Sequence, residues 1–227
     1  MLLEKMSQAR KCVGEFLGTA MLLCAVVGSG IMAERLSGGN IAVALLANTI
    51  ATGAALATLI LTFAHVSGAH FNPVVTFTDA VIGELSLREA FYYTGFQILG
   101  AISGVAIANL MFGLEVFNLS TKVRSGPAQW LGEFVATFGL IGVIISVSRR
   151  YSVPFVAVGV SAYITAAYWF TSSTSFANPA VTIARSLSNT FAGISPTDAP
   201  AFILAEILGA AAASIIFNWL VPKNNEQ

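Results

Sequence analysis

The chain has 227 residues, 56% hydrophobic and only 10% charged, with a mean hydropathy of +0.79. A soluble domain carries about a quarter charged residues, and eleven basic and eleven acidic side chains cannot solvate the surface of so apolar a protein. With zero formal net charge and no basic run, the composition excludes a soluble enzyme, a disordered segment and a nucleic-acid binder.

At about 20 apolar residues per span, most of the chain is expected inside a bilayer. Lys5, Arg10 and Lys11 precede the first apolar run as in a signal peptide. That run, 13–32, is nevertheless long enough to span, and Ala20, Ala25 and Ala33 give no convincing cleavage frame, so it reads as a retained helix. Cys12 and Cys24 cannot build a disulfide framework and read as small buried hydrophobes. Further runs follow at 41–64, 91–112, 130–147, 155–170 and 202–221. Each covers the roughly 30 Å hydrocarbon core, the fifth only if it begins before Pro154. An even number of spans puts both termini on one side. Lys5, Arg10, Lys11, Arg88, Arg149, Arg150 and Lys223 would share that side, against Arg35, Lys122 and Arg124 on the other. The bias predicts cytoplasmic termini.

Two apolar segments, 71–82 and 177–187, are too short to span. Each opens alike: Asn72-Pro73-Val74-Val75-Thr76 and Asn178-Pro179-Ala180-Val181-Thr182. Asn at the N-cap with Pro at the first helical position starts a helix, and some eleven residues give about 16 Å, half a membrane. Two re-entrant half-helices are predicted. The halves also repeat, about 10–112 and 128–221: Gly14-Glu15-Phe16-Leu17-Gly18-Thr19 returns as Gly132-Glu133-Phe134-Val135-Ala136-Thr137. Gln97-Ile98-Leu99-Gly100-Ala101 returns as Glu206-Ile207-Leu208-Gly209-Ala210. Three spans per repeat is odd, so the halves must be inverted within one membrane domain. Inverted repeats with broken helices mark transport proteins.

These paired Asn-Pro boxes, the two span-borne Glu residues and Ser67-Gly68-Ala69-His70-Phe71-Asn72-Pro73 resemble the aquaporin, or major intrinsic protein, family over nearly the whole chain. The resemblance implies an all-α hourglass fold of six transmembrane helices and two half-helices, one pore per protomer and a homotetramer. It places the protein in the inner (plasma) membrane, against lipid, with water and small polar solutes as its partners and no cofactor. Physical reasoning about the boxes agrees: irregular backbone survives in a membrane only where it is buried or lines a watery cavity. Asn72 and Asn178 would cap the half-helices through their oxygens and offer amide donors to a passing solute.

Glu15 and Glu133 are intramembrane carboxylates, read either as a proton relay or, as the resemblance favours, as acceptors bracing the half-helix loops. Gln97 and Glu206 would share that supporting work. His65 and His70 make a poor metal site and are expected to line the cytoplasmic side of the pore or brace the loop, a pH gate being the alternative. Small residues four apart, Gly14 and Gly18, Gly100 and Gly104, Gly209 and Ala213, serve close helix packing.

The filter departs from the family pattern. Where most members carry an Arg after the second Asn-Pro-Ala, this chain has Val181. An ungapped match adds Ala166 and Ser175, and the second span offers Thr52. All four are small and uncharged, which predicts a wide filter. Thr182 stands where aquaglyceroporins carry Asp. Such a filter resembles that of divergent bacterial aquaglyceroporins associated with arsenic resistance, which implies arsenite, methylated arsenicals or glycerol-like solutes. Arg185, one turn beyond Val181, would either gather oxyacids in the outer vestibule or pair with a loop carboxylate or lipid headgroup. Alternatives are a plain water or glycerol channel, a secondary transporter using Glu15 and Glu133, or a junctional role. A membrane enzyme is disfavoured, since only two His and one intramembrane Asp, Asp79, are present and no catalytic group is identifiable.

Overall fold

The structure, a computed structural model, describes residues 6–223, so Lys5 lies outside the described residues. The described residues form eight helices, in order α1 (Gln8–Leu36), α2 (Ile41–Ser67), α3 (Pro73–Val81), α4 (Leu87–Met111), α5 (Pro127–Ser148), α6 (Val153–Phe170), α7 (Pro179–Arg185) and α8 (Ala199–Leu220). All but α3 and α7 are long and apolar enough to cross a membrane. The described residues contain no strand, only an isolated bridge between Asn118 and Ser188.

Local chemistry sets the boundaries. Ser7 caps α1, accepting from the Arg10 amide at 3.4 Å, and Asn40 caps α2 through the Val43 amide at 3.2 Å. Ser86 and Glu89 form a reciprocal capping box on α4. The fifth span begins at Val153, with Pro154 in its first turn, where a missing N–H costs nothing. The half-helices are shorter than the apolar runs imply: α3 has nine residues and α7 seven. At 1.5 Å per residue they reach only about 13 and 10 Å. Their apolar tails continue as turns, α3 into 82–86 and α7 into a polar loop.

Packing repeats between the halves. α1 lies against α2 and α4, as α5 lies against α6 and α8, and α2 packs on α6 across the two. The closest approaches use glycine. A Cβ on Gly100 would collide with the Phe16 carbonyl oxygen, and one on Gly209 with the Phe134 carbonyl oxygen. Without hydrophobic driving force in lipid, such close backbone contact is what holds helices together. α3 and α7 each rest on α4 and α8.

The start of α1 and the residues just after α8 lie on one side, beside the turn after α3: Lys11 Nζ is 3.4 Å from Glu89 Oε1, and Lys223 Nζ is 2.7 Å from Glu84 Oε1. At the opposite side, segment 113–126 runs along the loop after α7. The Asn118 amide donates to Leu187 O and the Ser120 amide to Ser186 O, both at 2.9 Å.

Candidate functional site

A cavity of about 610 Å³ runs between the helices from the side of Glu84 and Lys223, the near mouth, to the opposite, far mouth. Regular helix faces build its wall. α2 contributes Thr52, Leu56, Ile60 and Ala64, and α6 contributes Val156, Val160, Ile164 and Tyr168, each series at four-residue steps. Asp79, Glu84, Arg149 and Lys223 line the near mouth; Thr52, Tyr168, Ser175, Val181 and Arg185 line the far part.

Between the two parts the Asn-Pro boxes meet. Asn72 Oδ1 accepts from the Val74 amide at 3.0 Å, while Asn178 Oδ1 accepts from the Ala180 and Val181 amides at 3.0 and 3.3 Å. Each Asn also crosses to the other half. Asn72 Nδ2 donates to Ala177 O at 2.7 Å and Asn178 Nδ2 to Phe71 O at 2.8 Å. The amides thus do more than face a solute: one N–H of each staples the half-helices together, and the second remains for the cavity that both residues line. Pro73, Val74, Pro179 and Ala180 are buried in the first turns and do not line it.

The loops before the boxes carry a feature the sequence did not announce. Ala69 and Phe71, and at the matching places Ser175 and Ala177, have φ values of 55°, 51°, 51° and 49°. Left-handed backbone at non-glycine residues costs about 1 kcal/mol or more each and persists only when its surroundings impose it. Here the buried carboxylates do. Glu133 accepts from the Phe176 amide at 2.9 Å through one oxygen and from the Ala177 amide at 2.7 Å through the other. Glu15 accepts from the His70 and Phe71 amides at 3.1 and 2.7 Å, from Ser67 Oγ at 2.5 Å and from Gln97 Nε2 at 2.8 Å. Gln97 also donates to Thr76 Oγ1 at 2.8 Å, and the Thr182 hydroxyl donates to Glu206 Oε1 at 2.6 Å. Both side chains thus grip their half-helix.

The histidines separate. His70 lines the cavity, with Nδ1 3.1 Å from Thr76 Oγ1 and Nε2 3.1 Å from Asp79 Oδ2. His65 is exposed and lines nothing, because it sits one position past Ala64 and is turned about 100° from the face that α2 gives the cavity. Among the described residues no cluster of His, Cys, Asp or Glu is placed to hold a metal ion.

The filter residues need one correction. Thr52, Ser175 and Val181 are buried and line the cavity, but Ala166 is exposed on the outside of α6. The residue facing inward is Tyr168, whose hydroxyl lies 3.4 Å from Thr52 Oγ1. An ungapped match misplaces the helix by two positions, about 200° of rotation. The far part of the cavity wall therefore contains an aromatic ring with a hydroxyl, besides two small hydroxyl residues and a valine.

Arg185 lies beyond them, buried to 3% exposure. Among the described residues it forms no ion pair with a carboxylate. Its Nε donates to the Ala192 carbonyl oxygen, and its Cζ stacks 3.4 Å from the Phe176 ring centroid. Arg124 lies over the same ring at 5.1 Å, its Nε donating to Gly193 O at 2.8 Å. Lys122 donates to Phe191 O at 2.7 Å. Burial, with Arg124 and Arg185 nearby, pulls the Lys122 ammonium down to about 8.

Comparison with known proteins places this architecture. Residues 2–152 match the family model described as Major intrinsic protein. The chain is 52% identical over 221 residues to Aquaglyceroporin AqpS of Rhizobium meliloti, covering 96% of this chain and 93% of that one. It is 32% identical over 226 residues to Aquaporin A of Dictyostelium discoideum, covering 92% and 77%. In fold it is similar to the X-ray structure of the aquaglyceroporin from Plasmodium falciparum, with a TM-score of 0.73 at 20% identity over 95% of this chain and 98% of that one.

Proposed function

Because the chain belongs to the major intrinsic protein family, it is a multi-pass membrane channel for water and small solutes and not an enzyme, and we propose that it passively conducts neutral solutes larger than water. Those solutes are small polyols such as glycerol and uncharged metalloid hydroxides such as arsenite, with methylated arsenicals in the same size class.

The observation that carries this reading is Val181, buried and lining the cavity at the place where most of the family has an arginine. A guanidinium there would narrow the passage and demand close hydrogen bonding. A valine leaves width and an apolar wall. Thr52, Tyr168 and Ser175 line the same cavity, and their hydroxyls can exchange hydrogen bonds with a polyhydroxy solute. Deeper in, the free N–H groups of Asn72 and Asn178 donate to solute oxygens, and the facing N-termini of α3 and α7 set a positive potential that repels cations. The relative named an aquaglyceroporin supports the choice of solute class.

The two halves act as inverted repeats around this centre, with both termini cytoplasmic, the protein in the plasma membrane and four copies assembled through their lipid-facing helices. A secondary transporter is the weaker reading. Glu15 and Glu133, the residues it would need for ion coupling, already accept backbone amides through both oxygens.

Val181→Arg tests the proposal. Glycerol and arsenite flux into proteoliposomes falls about tenfold or more, the discrimination a pocket achieves over one added group, while water flux is largely kept. Equal loss of water and glycerol flux, or loss of neither, removes Val181 from the filter.

A further inference from the structure

We propose that the far mouth of the channel holds a binding site for a singly charged oxyanion, formed by the Arg185 guanidinium, stacked on Phe176, and the hydroxyl of the preceding residue, Ser175. The inference rests on the channel reading above, in which the far mouth meets solvent.

Arg185 is buried and lines the cavity, yet among the described residues only its Nε has a hydrogen-bond partner, the Ala192 carbonyl oxygen. It forms no ion pair among them. Its terminal nitrogens therefore keep their N–H groups for the cavity, in the planar fork that matches two oxygens of an oxyanion. The side chain cannot swing away easily, since its Cζ is stacked 3.4 Å from the Phe176 ring centroid. Phe176 is itself fixed by an edge contact to Phe202, with ring centroids 5.2 Å apart.

Ser175 supplies the second, independent observation. It precedes Phe176 in the chain, is 3% exposed and lines the same cavity, and its Oγ has no hydrogen-bond partner. A buried hydroxyl without a partner is costly unless something in the cavity accepts from it. An oxyanion accepts from both groups at once.

The surrounding charge favours an anion. Arg124 and Lys122 both lie close enough to act on each other and on Arg185, and their side chains are tied to carbonyl oxygens rather than carboxylates. The carboxylates that face Arg185, Glu133 and Glu206, are held by other partners: Glu133 by two amides and Glu206 by Thr182. In a partly desolvated mouth the attraction for a monoanion is several times its value in water.

The probe is methanesulfonate, a tetrahedral monoanion, applied to both faces of proteoliposomes while glycerol flux is recorded. Methanesulfonate inhibits the native channel in a saturable manner, whereas chloride at equal ionic strength does not. Arg185→Gln raises the concentration needed for half-inhibition by about tenfold or more, each variant being scored against its own uninhibited flux; Ser175→Ala raises it by less. Inhibition by chloride to the same extent, or native-like inhibition of Arg185→Gln, overturns the site. If a variant carries no glycerol, calorimetric titration of methanesulfonate into the solubilised native protein and Ser175→Ala decides. Saturable binding weakened by the substitution supports the site and absence of binding refutes it. Absence of glycerol flux in the native protein would instead count against the channel's proposed solutes, and leaves the calorimetric answer intact.

Discussion

Replacing Glu133 by Gln removes a single charge and one acceptor oxygen from the centre of the second half, and the structure sets the size of the effect. Glu133 is fully buried, and each of its oxygens accepts one amide, from Phe176 at 2.9 Å and Ala177 at 2.7 Å. Gln keeps one oxygen and turns an NH₂ toward the other amide, so one buried donor loses its partner, at about 1–3 kcal/mol, and the surviving bond loses its charge assistance, about 1 kcal/mol more. Burying a neutral amide is easier than burying a carboxylate, which returns part of this. The gross cost is about 2–4 kcal/mol and the net about 1–3 kcal/mol, against a loop whose Ser175 and Ala177 are already in left-handed backbone. At about 1.4 kcal/mol per factor of ten, the native loop loses its dominance and Ser175 leaves the cavity wall. The assay is stopped-flow glycerol uptake in proteoliposomes, with thermal unfolding followed by fluorescence. Glycerol flux of Glu133→Gln falls about tenfold and its Tm drops, while Glu133→Asp rescues neither fully because the shorter side chain does not reach both amides. Native flux and Tm in Glu133→Gln would refute the claim that the carboxylate holds the loop.

Two other outcomes follow from packing and charge. Gly100→Ala and Gly209→Ala each drive a Cβ into a backbone carbonyl oxygen, of Phe16 and Phe134, which cannot turn aside. Each lowers stability by about 1–3 kcal/mol, read as a fall in Tm, whereas alanine at Gly95, where a Cβ meets nothing, leaves Tm near the native value. Lys122, held at about 8 in the folded protein against an ordinary 10.5, binds fewer protons folded than unfolded between those values, so stability rises with pH across that window. The groups acting on it are Arg124, Arg185 and Glu34, and the side chain is partly open to solvent, so the effect is modest. Tm measured from pH 8 to 10 rises in the native protein relative to Lys122→Met; parallel curves would show that the ammonium is not destabilised by its neighbours.

Much of the fold is readable because membrane physics is strict. Span length, the Asn-Pro caps and the ordered repeats place six long helices and two short ones before any coordinate is known. What the sequence hides is rotation. A helix between lipid and an apolar-walled pore is apolar on both sides, so hydropathy does not say which face lines the pore. That is why Ala166 stands in for Tyr168 and why His65 reads as a pore residue although it is exposed. The four-residue series Val156, Val160, Ile164, Tyr168, parallel to Thr52, Leu56, Ile60, Ala64, was the available signal. The left-handed residues at Ala69, Phe71, Ser175 and Ala177 carry no sequence mark, since none is glycine; tertiary hydrogen bonds that the loop amides donate to Glu15 and Glu133 dictate them. The partners of Arg185, a carbonyl oxygen and an aromatic ring, belong to loops whose course no periodicity reveals.

The proposed function of the protein is a passive pore for neutral solutes larger than water. The measurement that meets it most directly is uptake of glycerol and arsenite into proteoliposomes, first with proton and sodium gradients imposed and then with both collapsed by ionophores. The structure predicts rates well above protein-free vesicles, linear in solute concentration and identical in the two conditions. Uptake that saturates and stops when a gradient is removed, or vesicles that pass water alone, would contradict it.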